Sequence, residues 1–368
     1  MSQLTSDPAT ERPERDPQAG PRHHAYSAWA ALLVVWLVWG STYLAIRVAD
    51  RSIPPFAMAA ARYLTAGALL YPFAQLSCRR REAAASAADP GPHWRIPSRL
   101  AQWGGMAVVG TMLLAFGNGG VSYAERTLPS GLAALLVASV PLWMALADRV
   151  INGRRIPVRG WIALLLGLAG IAVLARPSGN GAVLPVLIVL GGAVSWGTGS
   201  VLAGRLPAPS SPLTGSAMEM LAGGVALTGL AAATGELSGI APAHVSEASL
   251  LALLYLIGPG SLLGLTCYVI ALRRLPTTAA STYAYVNPVV AVSLGALFLG
   301  ERLTPATLLG GAVVILSVAM LLIRRSPGPS AAPASGGRPA VTSGSAGPTG
   351  RTPAAAGSRP ECRSRSGP

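Results

Sequence analysis

The 368-residue chain contains no lysine, and only 11% of its residues are charged. A soluble domain carries about a quarter charged residues, so a chain of this composition cannot cover its folded surface in water. The absence of lysine also excludes a phosphate-binding P-loop, which requires a lysine after its glycine-rich turn. Direct use of ATP is therefore not expected.

Cysteine and histidine are scarce as well, and their positions match no metal or redox motif. The three cysteines stand far apart in the sequence: Cys78, Cys267 and Cys362. The four histidines all fall in predicted loops or tails: His23, His24, His93 and His244. No cluster of acid, base and nucleophile lies in an apolar segment. We therefore expect no catalytic residue, no metal site and no cofactor.

Hydrophobic residues make up 51% of the chain and gather into ten long runs with few charges. About 20 such residues in a helix cross a hydrocarbon core of about 30 Å. The ten predicted spans are Ala28–Val48, Pro55–Leu76, Gln102–Tyr123, Ser130–Leu146, Gly160–Ala175, Val183–Ala203, Thr214–Thr234, Leu250–Leu272, Thr277–Leu299 and Pro305–Leu322. The pattern favours an all-α polytopic protein in a lipid bilayer over a soluble bundle of ten helices.

The arginines outside these spans concentrate in alternate loops. With the N-terminus in the cytoplasm, inside segments carry fifteen arginines even without the C-terminal tail. The outside loops carry four: Arg51, Arg126, Arg176 and Arg302. The positive-inside rule therefore predicts a multi-pass protein of the cell (inner or plasma) membrane with both termini cytoplasmic. The net charge of +14 then reflects membrane orientation, and no nucleic-acid partner is expected.

Segments 1–27 and 326–368 flank the apolar region and are rich in Pro, Gly, Ser and Ala. They cannot bury enough apolar surface to fold, so the composition predicts a disordered cytoplasmic N-terminus and a disordered cytoplasmic tail.

The apolar region contains an internal repeat. The stretch LPSGLAALLVASVP begins at Leu128, and LPTTAASTYAYVNP begins at Leu275, an offset of 147 residues without a gap. Trp39-Gly40 likewise returns as Trp196-Gly197. The halves 28–176 and 181–323 therefore hold five spans each. Because five is odd, the second half enters the membrane from the opposite face, which predicts two inverted five-helix repeats. Secondary transporters use this arrangement for alternating access, with the substrate at the repeat interface.

Five motifs carry a resemblance to a known family: WGSTYLAIRV, AARYLTAG, SYAERTLPSGLAALL, AMEMLAGG and TYAYVNPVVAVSLGALFLGERLT. Together they resemble the EamA family of the drug/metabolite transporter superfamily, over about residues 28 to 323. The resemblance implies a ten-helix inner-membrane carrier, usually an exporter of amino acids, related metabolites or drugs. One departure is visible, because Glu301 of LGERLT is matched in the first half by Arg154.

Two prolines are predicted to interrupt their helices. Pro141 and Pro288 each fall about twelve residues into a span, remove an amide donor and free the carbonyl four residues back. A freed carbonyl in lipid needs another partner, so the breaks are expected to line a cavity, with a simple structural kink as the alternative. Pro259 in GPGS is a further candidate hinge without an evident twin.

Aromatic and polar side chains near these positions are the candidates for substrate contact. They are Trp39, Ser41, Trp196, Tyr283, Tyr285 and Asn287. For the two tryptophans, close helix packing and contact with a planar or apolar ligand group are equally compatible with the sequence.

Arg62 and Glu219 are the ionisable residues predicted to lie well inside spans, where charge is costly and faces the bundle interior. We hypothesise that they meet, directly or through a zwitterionic substrate whose carboxylate binds Arg62. A structural charge pair, or two separate side chains reaching for the interface, is the alternative. Glu219 is also the candidate for coupling transport to protons.

Taken together, the patterns favour a secondary transporter, an exporter of small metabolites such as amino acids or drug-like compounds. A membrane channel is an alternative. A membrane-embedded enzyme is disfavoured because the spans offer no catalytic cluster.

Overall fold

In a computed structural model of the chain, the residues described are 21–88, 99–174, 183–239, 244–275 and 277–322. Within these ranges every regular element is helical and no strand occurs. The prediction of an all-α protein is confirmed for this part of the chain.

The helices follow one another along the chain in two similar series. Those of the first half are α1 (Pro21–Ala49), α2 (Pro55–Ala88), α3 (Arg99–Gly110), α4 (Gly119–Glu125), α5 (Ser130–Val137), α6 (Val140–Asn152) and α7 (Val158–Leu174). Those of the second half are α8 (Val183–Ala203), α9 (Pro212–Ala233), α10 (Glu247–Tyr255), α11 (Gly264–Arg274), α12 (Thr277–Ala280), α13 (Tyr283–Leu299) and α14 (Pro305–Leu322).

Three short elements complete the series. A π-helical segment, π1 (Thr111–Asn118), joins α3 to α4, and a second, π2 (Leu256–Leu263), joins α10 to α11. A 3-10 turn, Glu236–Gly239, follows α9.

Seven helices in the described ranges are long and apolar enough to cross a membrane: Tyr26–Ala49, Arg99–Glu125, Ser130–Asn152, Val183–Ala203, Pro212–Ala233, Glu247–Arg274 and Pro305–Leu322. Two further apolar helices, α7 and α13, are shorter. The prediction of several membrane-spanning helices is confirmed, whereas the count of ten and the inversion of the halves remain predictions. Helix α1 begins at Pro21, inside the flank expected to be irregular. Residues 1–20 and the tail 326–368 lie outside the described residues.

Large apolar side chains point outward from several helices. Leu165 is 66% exposed, Phe298 is 65% exposed and Leu297 is 75% exposed. In water such surfaces would drive aggregation, but lipid tails are as apolar as these side chains. This exposure therefore agrees with a bilayer as the surrounding solvent.

The helices of one half pack mainly against those of the other. Helix α2 lies along α9, and α7 lies along α14, while α1 contacts α11 and α13 and α8 contacts π1 and α6. Helices α7 and α14 cross so closely that a Cβ added to Gly170 would lie only 3.0 Å from the carbonyl oxygen of Gly310. Small residues at crossings are what allow membrane helices to approach each other.

Candidate functional site

Trp39 and Trp196 each lie against a glycine of the opposite half. A Cβ added to Gly264, at the start of α11, would collide with the indole nitrogen of Trp39. A Cβ added to Gly117, in π1, would lie 2.8 Å from Cε3 of Trp196. The two glycines are separated by the same 147 residues as the repeated stretches. The two contacts are therefore counterparts, and both indoles pack closely between helices.

Trp39 is also the centre of an aromatic cluster with Tyr268 and Tyr283. Its ring centroid lies 5.1 Å from that of Tyr268 and 5.3 Å from that of Tyr283, and the two tyrosine rings are 5.4 Å apart. The two contacts of Tyr283 are edge-to-face, a geometry that is favourable at such distances. Two residues beyond Trp39, the Ser41 hydroxyl lies 2.6 Å from that of Tyr255 on α10. The cluster brings Trp39 and Tyr283 together, whereas the described side-chain partner of Ser41 is Tyr255.

Arg62 is buried on α2 and points towards π2. Its Nε donates to Oγ of Ser261 at 3.0 Å, and its guanidinium carbon lies 4.8 Å from the centre of the Tyr63 ring. Only 6% of Arg62 is exposed. Its two terminal nitrogens have no hydrogen-bond partner among the described residues. A guanidinium with two unoccupied donors is suited to bind a carboxylate in a bidentate manner.

Glu219 lies on α9 against another part of the bundle. Its backbone carbonyl oxygen lies so close to Gly110, at the end of α3, that a Cβ added to this glycine would collide with it. Within the described ranges the salt bridge that forms joins Arg154 to Asp148. Arg62 and Glu219 form no salt bridge with each other in these ranges. The direct form of the predicted contact is therefore absent, because Arg62 turns towards Ser261 instead. A contact through a bound solute stays a hypothesis.

The interruptions near the prolines take different forms in the two halves. Helix α5 ends at Val137 and α6 begins at Val140, so Pro141 lies in the first turn of α6, where no amide donor is needed. In the second half α13 continues through Pro288, and the interruption lies upstream at Ser281–Thr282. The break predicted at Pro288 is therefore displaced by more than one turn.

Hydroxyl groups satisfy carbonyls at both interruptions. The Ser139 hydroxyl donates to the Leu136 carbonyl at 2.6 Å, and the Thr282 hydroxyl donates to the Ala279 carbonyl at 2.6 Å. Each hydroxyl oxygen also accepts from an indole: Ser139 from Trp143 at 3.0 Å and Thr282 from Trp36 at 3.1 Å. Each of these carbonyls also accepts from a backbone amide, Leu136 from Ser139 and Ala279 from Thr282, so the hydroxyls add a second bond at the interruptions.

Pro259 lies inside π2, where wider turns accommodate a residue that lacks an amide hydrogen. The sequence had offered no twin for it, but π1 occupies the corresponding place in the first half. π-segments inside membrane helices are frequent at functional sites.

Asn287 and Tyr285 lie on α13, where it faces α1. The carbonyl oxygen of Asn287 would be 3.1 Å from a Cβ added to Gly40, so the two backbones are close. The side-chain oxygen of Asn287 is buried and has no hydrogen-bond partner in the described ranges. Tyr285 is partly exposed. Asn287 is thus available to a ligand, whereas Tyr285 has no described contact with the aromatic cluster.

A polar cavity of about 420 Å³ lies where α1 and α4 end and α5 begins. Its lining is charged and polar, with contributions from both halves: Arg47, Asp50, Arg51, Arg126, Thr127, Pro129, Leu299 and Glu301. Burial raises the pKa of Asp50 to about 8, and the charge of Glu236 acts in the same direction while Arg126 and Arg47 oppose it. Sequence reasoning missed Asp50 and its neighbour Glu125, although each directly follows an apolar run.

Comparison with known proteins gives consistent matches over both halves of the chain. The EamA-like transporter family matches residues 27–176 and 183–323. The uncharacterized inner membrane transporter YedA of Escherichia coli (strain K12) is 37% identical over 303 residues, covering 80% of this chain and 90% of YedA. A probable terminal-alkyne amino-acid exporter of Streptantibioticus cattleyicolor is 28% identical, covering 82% of this chain and 95% of the exporter.

Two more similarities complete the comparison. A probable amino-acid metabolite efflux pump of Escherichia coli (strain K12) is 24% identical, covering 77% of this chain and 91% of the pump. A solved crystal structure that is 21% identical superposes with a TM-score of 0.50 and covers 83% of this chain and 100% of its own. That structural likeness concerns the fold alone. With both halves matched and an inner membrane transporter at 37% identity, this chain belongs to the EamA-like transporter family.

Proposed function

We propose that this protein is a secondary transporter that exports small zwitterionic solutes of the amino-acid type. Ten helices form two inverted five-helix halves in the inner membrane, with both termini in the cytoplasm. The solute passes by alternating access along the interface between the halves.

The reciprocal contacts between the halves support a two-fold relation between them, which the inverted arrangement requires. Trp39 lies on Gly264 as Trp196 lies on Gly117. The same holds for the neighbouring glycines, since a Cβ on Gly40 would meet Val290 and a Cβ on Gly197 would meet Trp143. Exchanging the halves converts each contact into its partner, as a two-fold axis between them requires.

The surroundings of Arg62 are the observation that carries the choice of solute. A buried guanidinium bound by a single serine hydroxyl retains charge and donors for an anionic group. The nearby aromatic cluster and Ser41 offer a surface for the rest of a small solute. Two relatives are named as an amino-acid exporter and an amino-acid metabolite efflux pump, which agrees with this class.

In this proposal the carboxylate of the solute binds Arg62, and its ammonium group is oriented towards Glu219. Trp39, Tyr283 and Asn287 contact the solute from the first and ninth spans. Trp196 and Tyr285 line the same path in another conformation. Pro141, Pro259 and Pro288 mark the segments that change shape between conformations.

Counterflow in proteoliposomes tests this function. Vesicles loaded with unlabelled amino acids should accumulate a radiolabelled protein hydrolysate transiently, and the accumulation should saturate. Arg62→Ala should abolish this accumulation. Arg205→Ala is the control and should not abolish it, because Arg205 also donates its Nε hydrogen to a side chain, Asn152, but does so at the exposed surface, away from the solute. Uptake without saturation or counterflow would instead indicate a channel.

Proton coupling through Glu219 is a separate hypothesis with its own test. Glu219→Gln in the same vesicles should remove accumulation driven by a pH gradient. Unchanged pH-driven accumulation in this variant would eliminate the role.

Reporter fusions at the two termini test the topology, because an odd number of spans would place the two termini on opposite sides of the membrane.

A further inference from the structure

Asp50 and Glu125 are two buried carboxylates without hydrogen-bond partners in the described ranges, and we call them a pair because the charge of Asp50 acts on Glu125. Asp50 follows α1 directly, Glu125 is the last residue of α4, and these two helices pack against each other. All four carboxylate oxygens are buried and have no hydrogen-bond partner within the described ranges. Two ionised carboxylates in this situation would be strongly destabilised, whereas a bound proton removes one of the charges.

The charges around the pair are close to balance. Three arginines and four carboxylates, the pair included, line the cavity or act on its carboxylates: Arg47, Arg51, Arg126, Asp50, Glu125, Glu236 and Glu301. Fully ionised, the cluster would carry one net negative charge. A single proton makes this set neutral. Because Arg51 and Arg126 are exposed and their charges are screened by solvent, the proton is needed most at the two buried carboxylates.

The carboxylates at the edge of the cluster are held by other bonds. Glu236 accepts from the Ala57 amide at 3.0 Å, and Glu301 accepts from Ser130 and Gly131. Asp50 and Glu125 have no such bonds, so the proton is most stabilising on them. The hydroxyl of Tyr43 is a further titratable group close to Glu125.

The polar cavity gives protons a route to this pair, because Asp50 is part of its lining. The raised pKa of Asp50 agrees with proton binding near neutral pH. Two interacting carboxylates titrate as one unit, so the first proton belongs to the pair.

Helix α1 connects this cluster with the candidate solute site. Tyr43 lies seven residues before Asp50 and Trp39 lies eleven before it, and the Asp50 amide still donates to the Ile46 carbonyl, so Trp39 and Tyr43 lie on the face of α1 that Asp50 continues. At 1.5 Å per residue the distance from Trp39 to Asp50 is about 16 Å. A change of charge at Asp50 therefore acts on the same helix that contacts the solute.

We propose that Asp50 and Glu125 bind one proton between them and that this is the entry site of the coupling proton. In the proposed topology this face is the outer one, from which protons flow inward while solute leaves. The coupling role rests on the proposed transport function, whereas the binding of the proton does not.

Proton binding is measured directly on purified full-length protein in detergent. Between about pH 9 and pH 6, the wild type should take up about one more proton per chain than the double variant Asp50→Asn/Glu125→Gln. The matched control is Glu247→Gln, which should titrate as the wild type does. Glu247 is exposed and follows Ser246, whose hydroxyl lies 3.3 Å from Ser52 on the same face. Equal uptake by wild type and double variant would overturn the proposal.

The single variants provide the answer if the double variant does not fold. Asp50→Asn and Glu125→Gln should each move the midpoint of this uptake to lower pH, because the remaining carboxylate no longer faces a like charge. An unchanged midpoint in both single variants would also overturn the proposal.

The coupling role is tested in proteoliposomes with the radiolabelled protein hydrolysate. The ratio of pH-driven accumulation to counterflow at equal pH should fall about tenfold or more in the double variant. Glu247→Gln and the wild type should keep this ratio. Counterflow by the wild type tests the transport function alone. If the wild type shows no counterflow, the transport function is refuted, whereas the titration result still stands. An unchanged ratio would refute coupling at this pair.

Discussion

The carboxylate of Glu301 caps the first turn of α5 from the opposite half of the protein. It accepts hydrogen bonds from the Ser130 amide at 2.7 Å, from the Ser130 hydroxyl at 2.8 Å and from the Gly131 amide at 3.0 Å. Amides in the first turn of a helix have no partner within the helix, so an external acceptor is needed. The start of α5 in the first half therefore depends on a side chain of the second.

The turn at Gly153 in the first half corresponds to the turn at Gly300, but the residue that follows it makes a different contact. Gly153 and Gly300 both adopt a left-handed backbone conformation, with φ of 66° and 64°, and end their helices alike. After Gly153, however, comes Arg154, which is exposed and lies 3.6 Å from Asp148. The same backbone turn thus supports a link between the halves in one copy and a surface ion pair in the other.

Glu301→Gln is expected to lower the free energy of unfolding by about 1–3 kcal/mol, because a charged acceptor of three bonds becomes a neutral one. Thermal unfolding in detergent measures the change. Arg154→Ala is the matched control at the equivalent position and should cost less than about 1 kcal/mol, since its ion pair is exposed. Equal losses in the two variants would contradict a special role for the cap.

Gly264→Ala is expected to destabilise the protein by about 1–3 kcal/mol, because the added methyl group collides with the indole of Trp39. Gly258→Ala serves as control, since a Cβ there has nothing within 4 Å. The melting temperature of each variant decides the comparison. Removing the indole with Trp39→Leu in the Gly264→Ala background should recover stability, and a further additive loss would argue against the contact.

The helical architecture could be predicted from the sequence because the lipid requires long apolar runs, and each predicted span is occupied by helical segments. The third, fourth, eighth and ninth spans, however, contain more than one segment. The twin contacts of Trp39 and Trp196 were signalled by the repeated Trp-Gly pairs. The π-segments were not, since their apolar pattern is the same as that of an α-helix. Pro259 was the one residue in the sequence that marked a π-segment, π2, whereas the corresponding segment π1 contains no proline.

The charged residues were harder to place. Asp50 and Glu125 fall outside the predicted spans, which end at Val48 and Tyr123, and the burial of their carboxylates goes with the packing of α1 against α4. For Arg62 and Glu219 the sequence gives a height along each helix but no direction around it. Arg62 turns towards Ser261, a partner nearly 200 residues away in the chain that periodicity alone does not reveal.

The stability of the protein is expected to fall as the pH rises from about 4 to about 8. Over that window Asp50 has released its proton in the unfolded chain but keeps it in the folded one, so the folded state binds more protons. Above about pH 8 this contribution levels off. Asp50→Asn should flatten the dependence of melting temperature on pH and raise stability at alkaline pH. Glu247→Gln should leave the curve unchanged, and a curve for Asp50→Asn that still follows the wild type would contradict the assignment.

Arg62→Lys is expected to raise the KM for counterflow of the radiolabelled hydrolysate by about tenfold or more, although the positive charge is kept. Lysine lacks both the Nε donor to Ser261 and the planar pair of terminal donors that a carboxylate can accept from. Ser261→Ala should have a smaller effect of the same kind, because it releases Arg62 without removing it. Arg205→Lys is the control, since Arg205 makes its Nε bond to Asn152 at the exposed surface, at 2.7 Å. If Arg62→Lys and Arg205→Lys transport alike, the guanidinium of Arg62 supports helix packing and does not bind the solute.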